Sequence, residues 1–273
     1  MLLSLFTQAA LLPLFLSVLL HVMPGLTGKT KARCYLLLWL VPYAWIINLP
    51  NFPPRQAYDY FILLVPALVM ISFLAVAQPI KLTLRFLALL SCTVLMLWPA
   101  LSYDFTLHSH GLYLVQLVLV LLLMILVVSR PASEVVENQA QKLMLACAAF
   151  FPAAVLALIV ALSGSMKIAL LIAALSALMF VPALSLLINK NKQVLASTIY
   201  TRDVNSILLI LFLLSFNYLQ LDKLAAHLWL VSAAGFMLWP GRRSVFILCL
   251  LLLAVALGLV VYNEFFIKAS SYY

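Results

Sequence analysis

Apolar residues in this chain gather into long runs, each closed by a short group of basic residues or prolines. Windows of about twenty apolar residues fall at 2–23, 34–50, 58–78, 82–101, 108–129, 143–163, 168–189, 204–221, 224–240 and 244–263. A helix needs about 20 such residues at 1.5 Å each to cross ~30 Å of hydrocarbon, so each window predicts a membrane span. The least marked boundary is Leu221-Asp222-Lys223. Kept as one helix, 204–240 would run roughly 55 Å, more than a tilted span covers, so the pattern predicts a tight hairpin at Asp222-Lys223.

Composition narrows the class. The chain of 273 residues is 67% hydrophobic and 8% charged, with a mean hydropathy of +1.21. A soluble domain carries about 25% charged residues. Too little polar surface remains to cover a water-soluble globule, which excludes a soluble enzyme. The net charge of +9 is not laid on a solvated face, so nucleic acid is not expected as a partner. The predicted fold is all-α: a polytopic integral membrane protein with about ten transmembrane helices and the lipid bilayer as its principal partner.

The basic residues then serve as a topological signal. If the connection carrying Lys29, Lys31 and Arg33 is cytoplasmic, alternate connections on that side hold 12 of the 16 Lys and Arg residues. The opposite side keeps Arg55, Lys167, Lys223 and Lys268. This split predicts an N-out, C-out orientation. The first segment has its positive charge after the apolar run, as in a reverse signal anchor retained in the mature chain. A multi-pass protein of a cell membrane, such as the bacterial inner membrane, is the expected setting. No lipidation or retention signal is evident at either end.

The chain reads as one transmembrane domain, 1–273. Its midpoint leaves five spans on each side, in halves 1–130 and 131–273. Two halves with odd numbers of spans have opposite orientation, the layout of inverted-repeat transporters. Pro13 and Pro42 in spans one and two have counterparts in Pro152 and Pro182 of spans six and seven, whereas Pro66 has none. The connection 130–142 reads as a helix extension, with a Ser133 cap and Glu134 and Glu137 in its first turn. Only seven glycines occur and no GxxxG; alanine pairs such as Ala148-Ala149 and Ala233-Ala234 are left to supply close helix packing.

Candidate chemistry is sparse. The seven acids (Asp59, Asp104, Glu134, Glu137, Asp203, Asp222, Glu264) fall at span ends or in connections, so no carboxylate relay is visible within the spans. Gln116 and Asn217 are the deepest amides and the candidates for a substrate path. Polar residues collect on the predicted outer side: Arg55, Tyr58 and Asp59 open span three, Asp104, His108 and His110 precede span five, and Asp222 with His227 flanks span nine. Arg55, Asp59, Asp104, His108 and His227 form a candidate outer vestibule. Asp104 and His108, four apart, share a helix face if the helix starts early. Neither CxxC nor HExxH accompanies them, and Cys34, Cys92, Cys147 and Cys249 are widely spaced; no metal or cofactor is expected.

Three functions fit this reading. A permease or flippase for a small or amphipathic solute agrees with the span layout and the five-plus-five halves. A non-catalytic subunit of a larger membrane complex, with other membrane subunits as partners, agrees with the low charge and scarce glycine. An embedded enzyme acting on a lipid-linked substrate would use Asp104, His108 or Asp59 at the outer face.

Overall fold

Apolar runs fold as helices in a membrane because only a helix or a closed barrel satisfies its backbone groups without water. The computed structural model describes residues 7–23, 28–47, 54, 56–102, 107–129, 139–188, 195–219, 221–239 and 242–268, the opening turns of several helices by backbone alone. Every described regular element is helical. In chain order the α-helices are α1 (Leu12–Val22), α2 (Gly28–Ile47), α3 (Phe61–Phe73), α4 (Gln78–Ser102) and α5 (Leu107–Ser129). They continue as α6 (Gln139–Leu162), α7 (Met166–Ile188), α8 (Leu195–Leu219), α9 (Lys223–Leu238) and α10 (Arg243–Tyr262). A π-helical turn, Thr7–Leu11, leads into α1, and Asn263–Lys268 extends α10 in the same geometry.

Each apolar window thus contains a described helix, but the expectation of ten spans needs correction. Among the described residues, three helices are long and apolar enough to cross a membrane: Gln78–Trp98, Met166–Leu184 and Arg243–Ile267. The other apolar stretches are shorter, from 10 to 17 residues. The physical reason is visible in the sequence. Helix α2 opens with Gly-Lys-Thr-Lys-Ala-Arg, and α8 carries Thr201, Arg202 and Asp203 before its apolar part begins. These helices spend their first turns on polar residues, so the apolar part is shorter than the helix. The chain is therefore an all-α, membrane-associated protein with a few spanning helices.

Helix ends follow local chemistry. Helix α6 closes in a Schellman arrangement: Ser165 N–H donates to the Val160 carbonyl at 3.3 Å and Gly164 N–H to that of Ala161 at 3.2 Å. Gly164 sits there at φ +99°, a conformation open to glycine, and α7 starts two residues later. Asp222 caps α9, its Oδ1 accepting from Ala225 N–H at 2.8 Å. The break between α8 and α9 is where the hairpin was expected.

Helix α8 is the axis of the bundle. Every residue from Ser206 to Phe216 is buried, because α2, α4, α5, α6 and α7 all pack against it. Helices α6 and α7 form one tight pair and α9 and α10 another, while α1 lies on α2 and α7 and α3 on α2 and α4. The outward faces are apolar as well. Val115, Val118 and Leu122 on α5, and Leu248, Leu251 and Val255 on α10, are exposed. Apolar residues both inside and outside are the pattern of a helix in lipid.

Prolines and indoles tie the helices together. Pro182 has no N–H, so the Leu178 carbonyl one turn earlier loses its donor within α7. Ser17 of α1 supplies one, its hydroxyl donating to that carbonyl at 3.0 Å. Trp39 Nε1 donates to the Leu171 carbonyl at 3.2 Å, linking α2 to α7, and Trp229 Nε1 to that of Pro152 at 2.9 Å, linking α9 to α6. Pro13, read from sequence as mid-span, stands at the start of α1 because the preceding turn is π-helical.

Candidate functional site

Two polar centres lie toward opposite ends of α8. The first joins α3, α4 and α8. Arg85 of α4 is 5% exposed and Asp203 of α8 is 2% exposed. The Arg85 Nη2 donates to Ser72 Oγ at 2.6 Å and lies 3.6 Å from Asp203 Oδ2. Ser72 is fixed by its own donation to the Leu68 carbonyl at 2.8 Å. At an effective dielectric of 20, two charges at that separation attract by about 4–5 kcal/mol. Desolvation opposes this, and the distance exceeds that of a good charge-assisted hydrogen bond. Arg85 Nε is buried with no hydrogen-bond partner among the described residues. The guanidinium is thus neutralised but not saturated.

Sequence reasoning assigned both residues to connections. Helix α4 begins four residues before its apolar window, and α8 begins nine residues before its own, so helical geometry carries Arg85 and Asp203 into the bundle. One signal was present: Arg85 already falls inside the window 82–101. An arginine within an apolar run needs a partner, and the acids near the same membrane face include Asp203.

The second centre joins α5, α8 and α9. Gln116 of α5 is 0% exposed, and its amide nitrogen lies 2.9 Å from His227 Nε2. His227 of α9 also engages the Lys223 carbonyl through Nδ1. A carbonyl accepts only, so Nδ1 carries a proton; in the neutral ring Nε2 is then the acceptor and the Gln116 amide donates to it. The Gln116 Oε1 atom is left buried with no partner among the described residues. Phe216 meets the His227 ring edge-on with centroids 6.3 Å apart, and stacks in turn on Phe212, which stacks on Trp229. Below His227, Asp222 Oδ2 accepts from Asn263 Nδ2 at 3.0 Å, fastening the start of α9 to the end of α10.

The remaining sequence candidates are distributed differently. Asn217 donates to the Leu213 carbonyl of its own helix at 2.8 Å and does not join Gln116. Asp59 is buried and closes the turn before α3, its Oδ2 accepting from Gln56 N–H at 2.9 Å. Beside it, Tyr43 donates to the Tyr58 carbonyl at 2.8 Å. Arg55, Asp104 and the 131–138 stretch with Ser133, Glu134 and Glu137 lie outside the described residues, as does the side chain of His108. Of the anticipated sets, the structure brings together Gln116 from the path and His227 from the vestibule. No group of three or more His, Cys, Asp or Glu able to hold a metal occurs among the described residues.

Neither a family model, a curated protein nor a solved structure matches the chain.

Proposed function

We propose that this chain is a multi-pass permease or flippase for a small or amphipathic solute. In this reading the ten helices all cross the membrane of a bacterial cell, N-out and C-out, with Gln116 and Asn217 along the path and Arg55, Asp59, Asp104, His108 and His227 around its outer mouth. The observation that carries the reading is the buried Arg85–Asp203 pair. Ionisable groups are expensive in a membrane interior and mark solute or ion pathways more often than they serve as glue. This one is loose, at 3.6 Å, and its guanidinium keeps a donor with no partner among the described residues. Asp203 and Phe216 are separated along α8 by about 20 Å of helix, so the two centres suit the two ends of a path closed between them by buried Leu208, Leu211 and Phe212.

Thiol accessibility tests this without knowing the solute. In a background lacking Cys34, Cys92, Cys147 and Cys249, Ser72→Cys and Asn217→Cys are placed near the two centres. For a permease, a membrane-impermeant maleimide labels the first from one side of sealed vesicles and the second from the other. Absence of labelling at both, with an exposed control such as Lys223→Cys labelled, overturns the reading.

One observation favours the non-catalytic subunit instead. The halves pack unequally: α6 lies against α7, α8, α9 and α10, whereas α1 packs on α2 and α7. An inverted repeat would make α1 and α6 equivalent. A stable partner recovered on purification in mild detergent, together with unlabelled Ser72→Cys and Asn217→Cys, selects the subunit. The enzymatic reading would draw on Asp59, whose Oδ2 closes the turn before α3.

A further inference from the structure

We infer that Gln116 Oε1 is the recognition group for a neutral hydrogen-bond donor, the hydroxyl of an amphipathic solute, at the junction of α5, α8 and α9. As a substrate site it rests on the permease reading; as a binding site it stands alone.

The argument begins with what fixes the amide. The Lys223 carbonyl holds the proton on His227 Nδ1, and His227 Nε2 takes the Gln116 amide hydrogen at 2.9 Å. That orientation turns Oε1 away from the imidazole, fully buried and with no partner among the described residues. A buried amide carbonyl left unsatisfied is costly. The atom is an acceptor, so its complement is an O–H or N–H donor.

Charge decides between donors. An ammonium group would need a carboxylate with spare capacity. The acid at the start of α9, Asp222, already accepts from Ala225 N–H at 2.8 Å and from Asn263 at 3.0 Å, which fixes it in the helix cap and the α9–α10 link. A desolvated cation beside a neutral amide and a neutral imidazole is unfavourable, whereas a hydroxyl pays little to leave water and gains the bond. The neighbouring Phe216 ring, edge-on to His227, offers an apolar wall for the rest of the solute. His227 is half-buried, between the sealed amide and the surface. In this arrangement Gln116 contacts the solute and His227 is a positioning residue.

The test uses the full chain in lipid nanodiscs, titrated with hexanol, hexylammonium and hexanoate. The readout is intrinsic tryptophan fluorescence, to which Trp229 contributes through its stack on Phe212, which in turn stacks on Phe216. Partition into lipid gives an unsaturating background common to all variants. Hexanol is expected to add a saturable response that weakens about tenfold or more in Gln116→Met, the loss of one hydrogen bond. Gln116→Asn, which keeps the amide but withdraws it by one methylene, is expected to weaken it as well, guarding against a folding defect in the first variant. Hexylammonium and hexanoate should show background alone. A saturable response to hexylammonium equal to that of hexanol overturns the neutral-donor assignment. No saturable response to hexanol, or one unchanged in both variants, means that Oε1 binds water alone and overturns the site. Binding with no labelling of Ser72→Cys and Asn217→Cys keeps this site and removes the permease; labelling without binding does the reverse.

Discussion

Ser17 is a small residue with a disproportionate task. Its hydroxyl, buried between α1 and α7, satisfies the Leu178 carbonyl that Pro182 leaves without a donor. In lipid no water replaces it. Ser17→Ala is therefore expected to lower stability by about 1–3 kcal/mol, read as a lower midpoint of thermal unfolding in detergent. The cause can be isolated. Pro182→Ala returns a backbone N–H to α7 at the position that bonds Leu178, so in that background Ser17→Ala should cost little. Equal costs in both backgrounds would show that Ser17 acts by packing and that the proline is incidental. Arg85 and Gln116 differ from Ser17 in this respect: each retains a buried polar atom with no partner among the described residues, as Ser176 does too.

At the scale of elements, α9 and α10 approach closely at a glycine. A β-carbon added at Gly235 would overlap the Cys249 sulfur and crowd Val245 at 3.4 Å. Ser232 locks the same interface by donating to the Cys249 carbonyl at 2.8 Å. Gly235→Ala should destabilise by about 1–3 kcal/mol through overpacking, and Cys249→Ala, by removing the sulfur, should restore most of it. Failure of that rescue in the same unfolding assay would move the strain elsewhere. This contact also marks what the sequence could tell. Helix positions were readable because apolar runs and basic breaks are long-range compositional features, and the Asp222 break was readable from length alone. Pairing between helices was not. With no GxxxG to flag it, Gly235 gave no sign that it faces Cys249. The pair Arg85–Asp203 is 118 positions apart in sequence, and its members looked like connection charges until the helices were seen to start early. Gln116 and His227 were each singled out, one for depth and one for its place at an outer end, yet nothing in their spacing joined them.

For the whole molecule, the decisive quantity is how many helices cross. Three are long and apolar enough by themselves. The shortest, α1 at 11 residues and α3 at 13, extend only about 17–20 Å. With the turns Thr7–Leu11 and Ala57–Tyr60 added they reach roughly 24–26 Å. A mismatch of a few ångströms against ~30 Å of hydrocarbon is met by local thinning at a modest cost. In the ten-crossing reading proposed above, α1, α2 and α3 cross together with the helices they pack on: α2 and α7 flank α1, and α2 packs on the buried axis α8. Single cysteines in the connections at Ala77, Gly164, Asp222 and Arg242, in the same cysteine-free background, separate the cases. Ten crossings require Gly164 and Asp222 to react with an impermeant reagent from one side of the membrane, and Ala77 and Arg242 from the other. Crossing by Gln78–Trp98, Met166–Leu184 and Arg243–Ile267 alone would leave Gly164, Asp222 and Arg242 with a different grouping: Gly164 opposite Asp222, and Asp222 together with Arg242. The positions of Asp222 relative to Gly164 and Arg242 therefore decide whether α8 and α9 cross, because those two helices lie between them and each must cross once for the alternation to hold.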